Sequence, residues 1–336
     1  MDLQAPYVFV CGSSRSGTTL MSRVLGNHSQ VHSFQELHFF DEMYPPGTSI
    51  KPVSEEHLAK CMATLMDIQR NGYFNRKGVS TFHAESLESV RKGAIRTPLE
   101  VFIHFLNAES SVHSKSIPCE QTPQTVFAME ALLAHLPLAR FVIMVRDPRE
   151  VLLSQKGKWK RRKLSGGKIP LFESLRSRIN YHPATISRIW CSTYQTALKH
   201  ANDSRVLLVK YEDLTNEPQK TIQQICTHIG IPFEESMLDV PVVGSSNFND
   251  STTERGIASS RKGKWMDELH VAEIKICEKQ CASLMEHFNY EPSNVQGGRW
   301  MALVYKAVMP FQLCLAVLFN LKRLKDPVRL WKRFFG

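Results

Sequence analysis

Continuous apolar runs alternate with helical periodicities along most of the chain. The runs Tyr7 to Cys11 and Arg140 to Val145 are rich in β-branched and aromatic residues, which is typical of strands buried on both faces. Shorter strands are predicted at residues 31–34, 117–120 and 206–209, and helices at 20–25, 55–70, 126–136, 148–155 and 218–228. This alternation predicts a three-layer α/β domain with a central, mostly parallel sheet flanked by helices. Sheets of this kind bind ligands at the carboxyl ends of their strands.

The C-terminal part of the chain has a different pattern. Residues 307–321 are apolar apart from Gln312 and Asn320 and include Pro310. Six cations follow among aromatic and aliphatic residues: Lys322, Arg323, Lys325, Arg329, Lys332 and Arg333. Fifteen residues are short for a membrane span, but cations and aromatics beside such a segment are typical of an interfacial membrane helix. The alternative is a helix that packs on the domain or on a partner subunit.

We therefore predict one domain over residues 1–292 and an apolar and basic helical tail over 293–336, with peripheral membrane contact through residues 300–336. The 336 residues are 43% hydrophobic and 22% charged, enough for a sizeable core. The N-terminus shows no signal or anchor pattern, so we expect a cytoplasmic protein whose membrane association, if any, comes from the tail. The eight cysteines show no metal-ligand spacing and are expected to be reduced core thiols.

The formal net charge of +10 favours anionic partners. Between Lys156 and Lys168 there are seven basic residues and no acidic one. This basic run follows a predicted helix directly, and it could either attract an anionic acceptor or form a solvated lid. Trp159 is its one aromatic residue, and such sparse aromatics argue against nucleic acid as a partner.

The first strand leads into the polar loop Gly12-Ser13-Ser14-Arg15-Ser16-Gly17-Thr18-Thr19. A strand, a tight loop and a helix in this order point backbone N–H groups and a helix dipole at an anion, as in P-loop proteins. A Walker A loop, however, needs lysine where this chain has Thr18. Asp147 follows an arginine and precedes a proline, so it does not resemble a Walker B aspartate. A P-loop kinase or nucleoside triphosphatase is the alternative enzyme, and a non-catalytic binder of nucleotides or acidic polymers is the other alternative.

Four motifs in order resemble those of the sulfotransferases that use 3′-phosphoadenylyl sulfate (PAPS). Residues Arg15 to Leu20 resemble the family's 5′-phosphosulfate loop, and Arg146 with Ser154 eight positions later resembles its 3′-phosphate pair. Residues 211–214 match the family's Tyr-Glu-Asp-Leu, and residues 261–263 match its basic Arg-Lys-Gly segment. The resemblance covers roughly residues 7 to 290.

The resemblance implies an O-sulfotransferase that moves a sulfuryl group from PAPS to a hydroxyl without a metal. Arg15 would hold the 5′-phosphosulfate and neutralise charge on the departing oxygen, while Arg146 would engage the 3′-phosphate through paired donors. The expected cofactor-binding residues are Ser14, Arg15, Ser16, Gly17, Thr18, Thr19, Arg146, Ser154, Tyr211, Arg261, Lys262, Gly263 and Lys264.

The acceptor hydroxyl also needs a general base. Glu36 lies after the second strand, where the resemblance to the Golgi branch of the family, which includes the tyrosylprotein enzymes, places the catalytic glutamate. His38 and His32 compete with it, and Glu36 could instead be a surface carboxylate or a salt-bridge partner of Arg15. The cytosolic branch carries its base histidine in a Lys-Thr-His stretch, but this chain has Glu120-Gln121-Thr122-Pro123 there.

The sequence is therefore nearer the Golgi-type and bacterial enzymes, with one departure. Gln121 stands where the Golgi-type pattern has lysine, which leaves Arg15 and Lys264 with more of the charge stabilisation. Glu120 is a possible second carboxylate, although a structural role is the simpler interpretation. For the acceptor, the basic run and the tail favour a carbohydrate or glycolipid hydroxyl, with a tyrosyl peptide or small alcohol as alternatives.

Overall fold

A five-stranded parallel sheet forms the centre of the molecule. The computed structural model describes residues 6–44, 51–160, 163–164, 167–241, 255–257 and 263–320. The strands are β1 (Tyr7–Gly12), β2 (Val31–Ser33), β3 (Ile117–Glu120), β4 (Ala139–Val145), β5 (Lys163–Leu164), β6 (Gly167–Lys168) and β7 (Val206–Lys210). The sheet has the order β2-β3-β1-β4-β7, and β5 and β6 form a separate antiparallel hairpin. All five predicted sheet strands are therefore present.

The central strand β1 pairs with β3 on one side and with β4 on the other. The register aligns Phe9 with Glu120 and Gly12 with Met144. Because every pairing in this sheet is parallel, the carboxyl ends of all five strands meet at one edge. The loops after β1, β2 and β4 carry the predicted chemistry, and this edge brings them together.

Helices cover both faces of the sheet. They are α1 (Thr18–Gly26), α2 (Phe39–Glu42), α3 (Glu55–Asn71), α4 (His83–Lys92), α5 (Pro98–Val112), α6 (Met129–His135), α7 (Pro148–Lys156), α8 (Leu171–Ile179), α9 (Pro183–Leu198), α10 (Tyr211–Asn216), α11 (Pro218–Ile229), α12 (Trp265–Glu268), α13 (Val271–His287) and α14 (Arg299–Asn320). Short 3₁₀ turns occupy Val79–Phe82, Pro123–Ala128, Lys158–Lys160 and Glu235–Leu238. Proline opens α5, α7, α9 and α11, where its missing N–H costs no helical hydrogen bond.

The two faces of the sheet bury two different cores. Alternate side chains of β1 point to opposite faces, so Phe9 joins one core and Val10 the other. The first core is rich in aromatic residues, and Phe9 stacks on Phe141 with ring centroids 5.1 Å apart. The second is mainly aliphatic and packs α1 and α11 against the sheet. The result is the expected three-layer α/β architecture.

Helix α14 lies against α8 and the start of α9. The Gln312 side chain donates to the Ile179 carbonyl oxygen at 2.9 Å, and Asn320 donates to Asn180 at 2.9 Å. The helix begins eight residues before the apolar segment at 307, directly after Gly297 and Gly298, which both have positive φ. Its length and composition would allow it to cross a membrane. The six cations after it lie outside the described residues.

Seven of the eight cysteines are buried, as expected for core thiols. The Sγ atoms of Cys191 and Cys281 lie 3.6 Å apart between α9 and α13. Cys314 is exposed on α14 and departs from the expectation, because the outer face of that helix is not covered by the domain.

Candidate functional site

The loop between β1 and α1 is shaped by two glycines. Gly12 has φ +141°, and a Cβ atom there would collide with the Met144 carbonyl oxygen. Gly17 has φ +97°, and a Cβ atom there would lie 2.5 Å from Cδ2 of Tyr211. A side chain at either position would therefore force apart the elements that hold the loop. The Ser16 amide donates to the Ser13 carbonyl oxygen at 3.1 Å and closes the turn between them.

The N-terminus of α1 opens toward this loop. Gly17 is the N-cap residue and has no side chain that could cap the amides of the first turn. The amides of Thr18 and Thr19 are thus available to an anion, which the helix dipole also favours. Arg15 has φ +81°, a left-handed conformation that is strained for a non-glycine residue and is characteristic of functional sites.

A distant tyrosine supports the loop from below. The Tyr194 hydroxyl, buried in α9, donates to the Met144 carbonyl oxygen at 2.7 Å. It also accepts from the Ser13 amide at 3.4 Å and lies 3.0 Å from Ser16 Oγ. Our sequence analysis missed this residue. The available signal was Pro183 followed by apolar residues at helical spacing, which marks a helix but does not place it under the loop.

Arg146 directly follows β4 and is almost fully buried. Its Nη1 donates to the Arg15 carbonyl oxygen at 3.1 Å, and its guanidinium lies 4.4 Å from the ring centroid of Tyr211. Trp190 Nε1 donates to the Arg146 carbonyl oxygen at 3.0 Å and fixes its backbone. The Nε atom of Arg146 is buried without a hydrogen-bond partner among the residues that the structure describes. An unsatisfied donor of this kind suits a bound anion.

Arg15 and Ser154 connect the first loop to α7. Arg15 Nε donates to Ser154 Oγ at 2.8 Å. The structure therefore brings together Arg15, Arg146, Ser154 and Tyr211, which the sequence places in three separate motifs. Two guanidinium groups at one sheet edge, beside a helix N-terminus, form a pocket suited to more than one anionic group.

Glu150 connects Arg146 to the Arg-Lys-Gly segment at residues 261–263 through Gly263. Its Oε2 lies 3.4 Å from Arg146 Nη2, and its Oε1 accepts from the Gly263 amide at 2.8 Å. Burial raises the pKa of Glu150, and the Arg146 charge partly opposes that rise. Gly263 thus lies beside the Arg146 cluster, and the exposed Lys264 precedes α12. Arg261 and Lys262 fall outside the described residues. Glu150 was detectable as a residue one helical turn after Arg146.

Asp147 has a structural role next to this cluster. Its side chain caps α7 through the Arg149 amide at 2.8 Å and pairs with Arg149 Nη2 at 2.7 Å. Arg149 also binds Glu278 at 2.8 Å. Over the described part of the chain, no group of three or more His, Cys, Asp or Glu residues is arranged to hold a metal ion.

Glu36 follows β2 at the same sheet edge, on the opposite side of β1 from Arg146. Its carboxylate is 39% exposed, and its Oε2 lies 3.5 Å from His38 Nε2. His38 Nδ1 lies 3.3 Å from Asp41. Burial alone would lower the pKa of His38, but Asp41, Glu36 and Glu42 outweigh it and raise the pKa above the usual value. His38 is therefore tied to the carboxylates around it, while Glu36 keeps an exposed carboxylate at the sheet edge that an acceptor hydroxyl could reach.

Glu120 is buried at the end of β3, next to the segment that carries His38. Its carboxylate accepts from the Thr122 amide at 2.9 Å, from the Thr122 hydroxyl and from the Thr125 hydroxyl at 3.0 Å. Thr122 Oγ1 in turn accepts from the His38 amide at 3.2 Å. Burial raises the pKa of Glu120 to about 7, although these hydrogen bonds oppose the rise. Glu120 therefore anchors the turn on which the Glu36 segment rests.

We predict that Glu120 makes the protein less stable as the pH rises. The folded-state pKa of about 7 exceeds the ordinary value of 4.5, so the folded chain holds this proton more tightly. The free energy of unfolding should therefore fall between these two values, by on the order of 3 kcal/mol. Glu120→Gln cannot ionise and should remove this fall, as measured by denaturant unfolding of both chains at about pH 5 and about pH 8. Parallel pH dependences for the two chains would contradict the prediction.

His32 is not brought into this cluster. It stacks on His113, at the end of α5, with ring centroids 4.4 Å apart. Burial, together with the nearby His113 and Lys115, lowers the pKa of His32 to about 4. Its neighbours therefore belong to the segment that precedes β3, away from the carboxyl edge.

The first residues of the basic run, Lys156 and Trp159, make contacts with neighbouring helices. Lys156 Nζ lies 2.6 Å from Glu273, and the Arg178 guanidinium lies 4.9 Å from the ring centroid of Trp159. These contacts join the end of α7 to α13 and α8. The side chains at 161–168 are outside the described part of the chain.

Comparison with known proteins is consistent with this geometry. Residues 6–235 match a family model described as "Sulfotransferase family". The sulfotransferase domain of the Synechococcus PCC 7002 olefin synthase is 22% identical, with a TM-score of 0.54 over 87% of this chain and 98% of that one. The sulfotransferase domain of the curacin biosynthetic pathway is 16% identical, with a TM-score of 0.47 over 86% and 100% of the two chains. The olefin synthase domain thus shares the fold.

Proposed function

This chain belongs to the sulfotransferase family, and on that premise we propose that it transfers a sulfuryl group from PAPS to an acceptor hydroxyl. The observation that carries the proposal is the position of the Arg146 guanidinium. It donates to the Arg15 carbonyl oxygen, and its buried Nε has no hydrogen-bond partner among the described residues. PAPS carries a 3′-phosphate and a 5′-phosphosulfate, and this pocket offers a separate cation to each. Arg146 with Ser154 would bind the first, and Arg15 with the amides of Thr18 and Thr19 the second.

The proposed reaction uses the two sides of β1 differently. The acceptor oxygen forms a bond to sulfur while the bond from sulfur to the 5′-phosphate oxygen breaks, and that electron pair leaves on 3′-phosphoadenosine 5′-phosphate (PAP). The hydroxyl proton passes to the Glu36 carboxylate. Arg15 stabilises charge on the leaving oxygen, as in other in-line transfers between oxygens. The proposed cofactor residues Arg146 and Ser154 lie on the β4 side of β1. Glu36 lies on the other side, after β2, which is two strands from β1.

The remaining cofactor-binding residues follow the same proposal. Ser14 and Ser16 belong to the 5′ loop, and Tyr211 packs against both Gly17 and the Arg146 guanidinium. Gly263 lies beside Glu150, so the segment that contains Arg261, Lys262 and Lys264 would add positive charge at the 3′ end. The scheme does not require a metal.

For the acceptor we propose a carbohydrate or glycolipid hydroxyl. The basic run begins directly after the helix that bears Ser154, so an anionic or polar glycan would meet positive charge beside the site. We also propose that the tail associates peripherally with a membrane, because α14 is long and apolar and none of its residues is fully buried. The cytoplasmic location and the domain boundary near 292 stay predictions from the sequence.

We predict that PAP binds much more tightly than ADP. ADP lacks the 3′-phosphate that Arg146 is proposed to bind, and a charge-assisted pair of hydrogen bonds is worth about 3 kcal/mol or more, or about a hundredfold in affinity. Isothermal titration calorimetry of the full chain with PAP, ADP and ATP, with and without Mg²⁺, measures the difference. A preference for ATP with Mg²⁺ and turnover of ATP would instead support the P-loop kinase or nucleoside triphosphatase.

A further inference from the structure

The outer sides of α8 and α14 form one continuous apolar surface, here called the α8–α14 face. On α8, Leu171 is 76% exposed, and Leu175 lies one turn further on the same side. On α14, Trp300 and Phe311 are each 75% exposed. The Phe172 ring stacks on Phe319 with centroids 5.5 Å apart and joins the two helices. Exposed apolar patches that span two elements mark interaction surfaces.

The opposite side of α14 is fixed to the domain by polar contacts. Gln312 donates to the carbonyl oxygens of Ile179 and Tyr181, and His182 Nε2 lies 3.1 Å from the Tyr305 carbonyl oxygen. Positions 305, 312 and 320 recur every seven or eight residues and share one side of the helix. Helix α14 therefore lies lengthwise on the domain, with its apolar side outward.

These contacts argue against a helix that crosses a bilayer. Arg176 of α8 pairs with Glu173 and also donates to Asn320 Oδ1 at 2.8 Å. A spanning α14 would carry this ion pair into hydrocarbon, where charged side chains are strongly disfavoured. A helix that lies in the membrane plane keeps the charges of α8 at the level of the headgroups and buries only the outer side.

We propose that the α8–α14 face docks on an anionic lipid bilayer with α14 parallel to the membrane plane. From Met301 to Asn320 the one charged side chain is Lys306, and cations follow the helix in the sequence. An apolar helix side next to a cluster of cations suits anionic lipid, because the apolar side chains enter the bilayer while the cations meet the headgroups, and the net charge of +10 adds attraction to such a surface. Pairing of this face with a second copy would bring two positively charged chains together. The inference rests on the proposed membrane association, and not on sulfuryl transfer.

Docking in this way would bring the site to the lipid. Helix α8 contacts the start of the basic run through Arg178 and Trp159, and that run follows the helix that bears Ser154. A glycolipid in the same membrane would therefore lie near the helix that bears Ser154 without leaving the bilayer.

Binding to vesicles tests the surface. The full chain should cosediment with vesicles of phosphatidylcholine and phosphatidylserine, and more weakly with phosphatidylcholine alone. The double substitution Leu171→Glu and Leu175→Glu should lower the coefficient for partition onto vesicles by at least about tenfold, because two leucines that would enter the bilayer are lost. Val112→Glu is the matched control, since Val112 is 75% exposed at the end of α5, and it should bind as the unchanged chain does. All chains should keep their affinity for PAP.

Depth measurements test the orientation. Leu303 and Cys314 are eleven positions apart and lie on the same side of α14. Fluorophores placed on Cys314, or on Leu303→Cys in a Cys314→Ser chain, should be quenched by lipid-borne quenchers at the same depth. A spanning helix would separate their depths by about 16 Å.

Three outcomes of these experiments would overturn the proposal. Absence of vesicle binding would overturn both this surface and the tail association, while PAP affinity would still report on the proposed function. Binding that the α8 substitutions leave unchanged would overturn the shared face. A dimer on size-exclusion chromatography that the same substitutions dissociate would assign the face to a second copy.

Discussion

Replacement of Arg146 by alanine is expected to lower the affinity for PAP by at least about a hundredfold. Arg146 is proposed to supply the paired donors for the 3′-phosphate, and its buried Nε has no partner within the described ranges. Arg146→Lys should recover only part of the affinity, because lysine keeps the charge but not the forked donors. Isothermal titration calorimetry with PAP measures all three chains.

A control is needed because Arg146 also supports its surroundings. Its loss would leave Glu150 buried without its cation and would release the Arg15 carbonyl group. Thermal unfolding should therefore accompany each titration. Arg140→Ala is the matched control, since Arg140 lies on the same strand near its amino end and donates to the His228 carbonyl oxygen at 3.2 Å. A folded Arg146→Ala chain that binds PAP as the unchanged chain does would refute the cofactor assignment.

Glu36→Gln is expected to lower the turnover number by about a thousandfold while the affinity for PAP stays unchanged. Glutamine keeps the shape of the side chain but cannot accept the acceptor proton. The measurement is PAP release from PAPS with a panel of glycolipids and glycans, at saturating donor. Glu130→Gln on α6, another exposed carboxylate, should leave turnover unchanged.

His38 provides the discriminating comparison for the base. His38→Asn removes the imidazole that lies 3.5 Å from Glu36, and most of the turnover should remain because the glutamate can still accept the proton. If Glu36→Gln retains full turnover and His38→Asn abolishes it, the base is the histidine. If Glu36→Ala and Arg15→Ala both leave sulfuryl transfer intact, the site is not catalytic in the proposed way.

Local sequence patterns predict the frame of this molecule well. The five sheet strands are short apolar runs whose β-branched and aromatic residues have few other uses, and their parallel arrangement follows from the helices between them. Gly12 and Gly17 mark the loop because only glycine tolerates the positive φ and the close approach of β4 and Tyr211 there. Arg146 is recognisable because it follows a clear strand.

The support of the site is not local and could not be predicted in the same way. Tyr194 meets Ser13 across 181 positions, and no periodicity encodes which helix packs under which loop. Helices α8 and α9 follow the basic run and were not assigned. The sequence favours a structural role for Glu120, but it does not show that the Thr122 and Thr125 hydroxyls donate to the carboxylate and make it an anchor.

The hydrogen bonds from Arg146 to the Arg15 carbonyl group and from Arg15 to Ser154 join three chain segments into a closed circuit. Loss of the Arg146 side chain would release the backbone of the loop at Arg15, and loss of the Arg15 side chain would release the same loop from Ser154. Substitutions at 15 and 146 should therefore be non-additive, since each removes a contact that holds the same loop. For the same reason, a nucleotide fragment with only one anionic end would have to organise both halves of the pocket by itself. Binding of the two anionic groups of the donor should therefore be cooperative rather than independent.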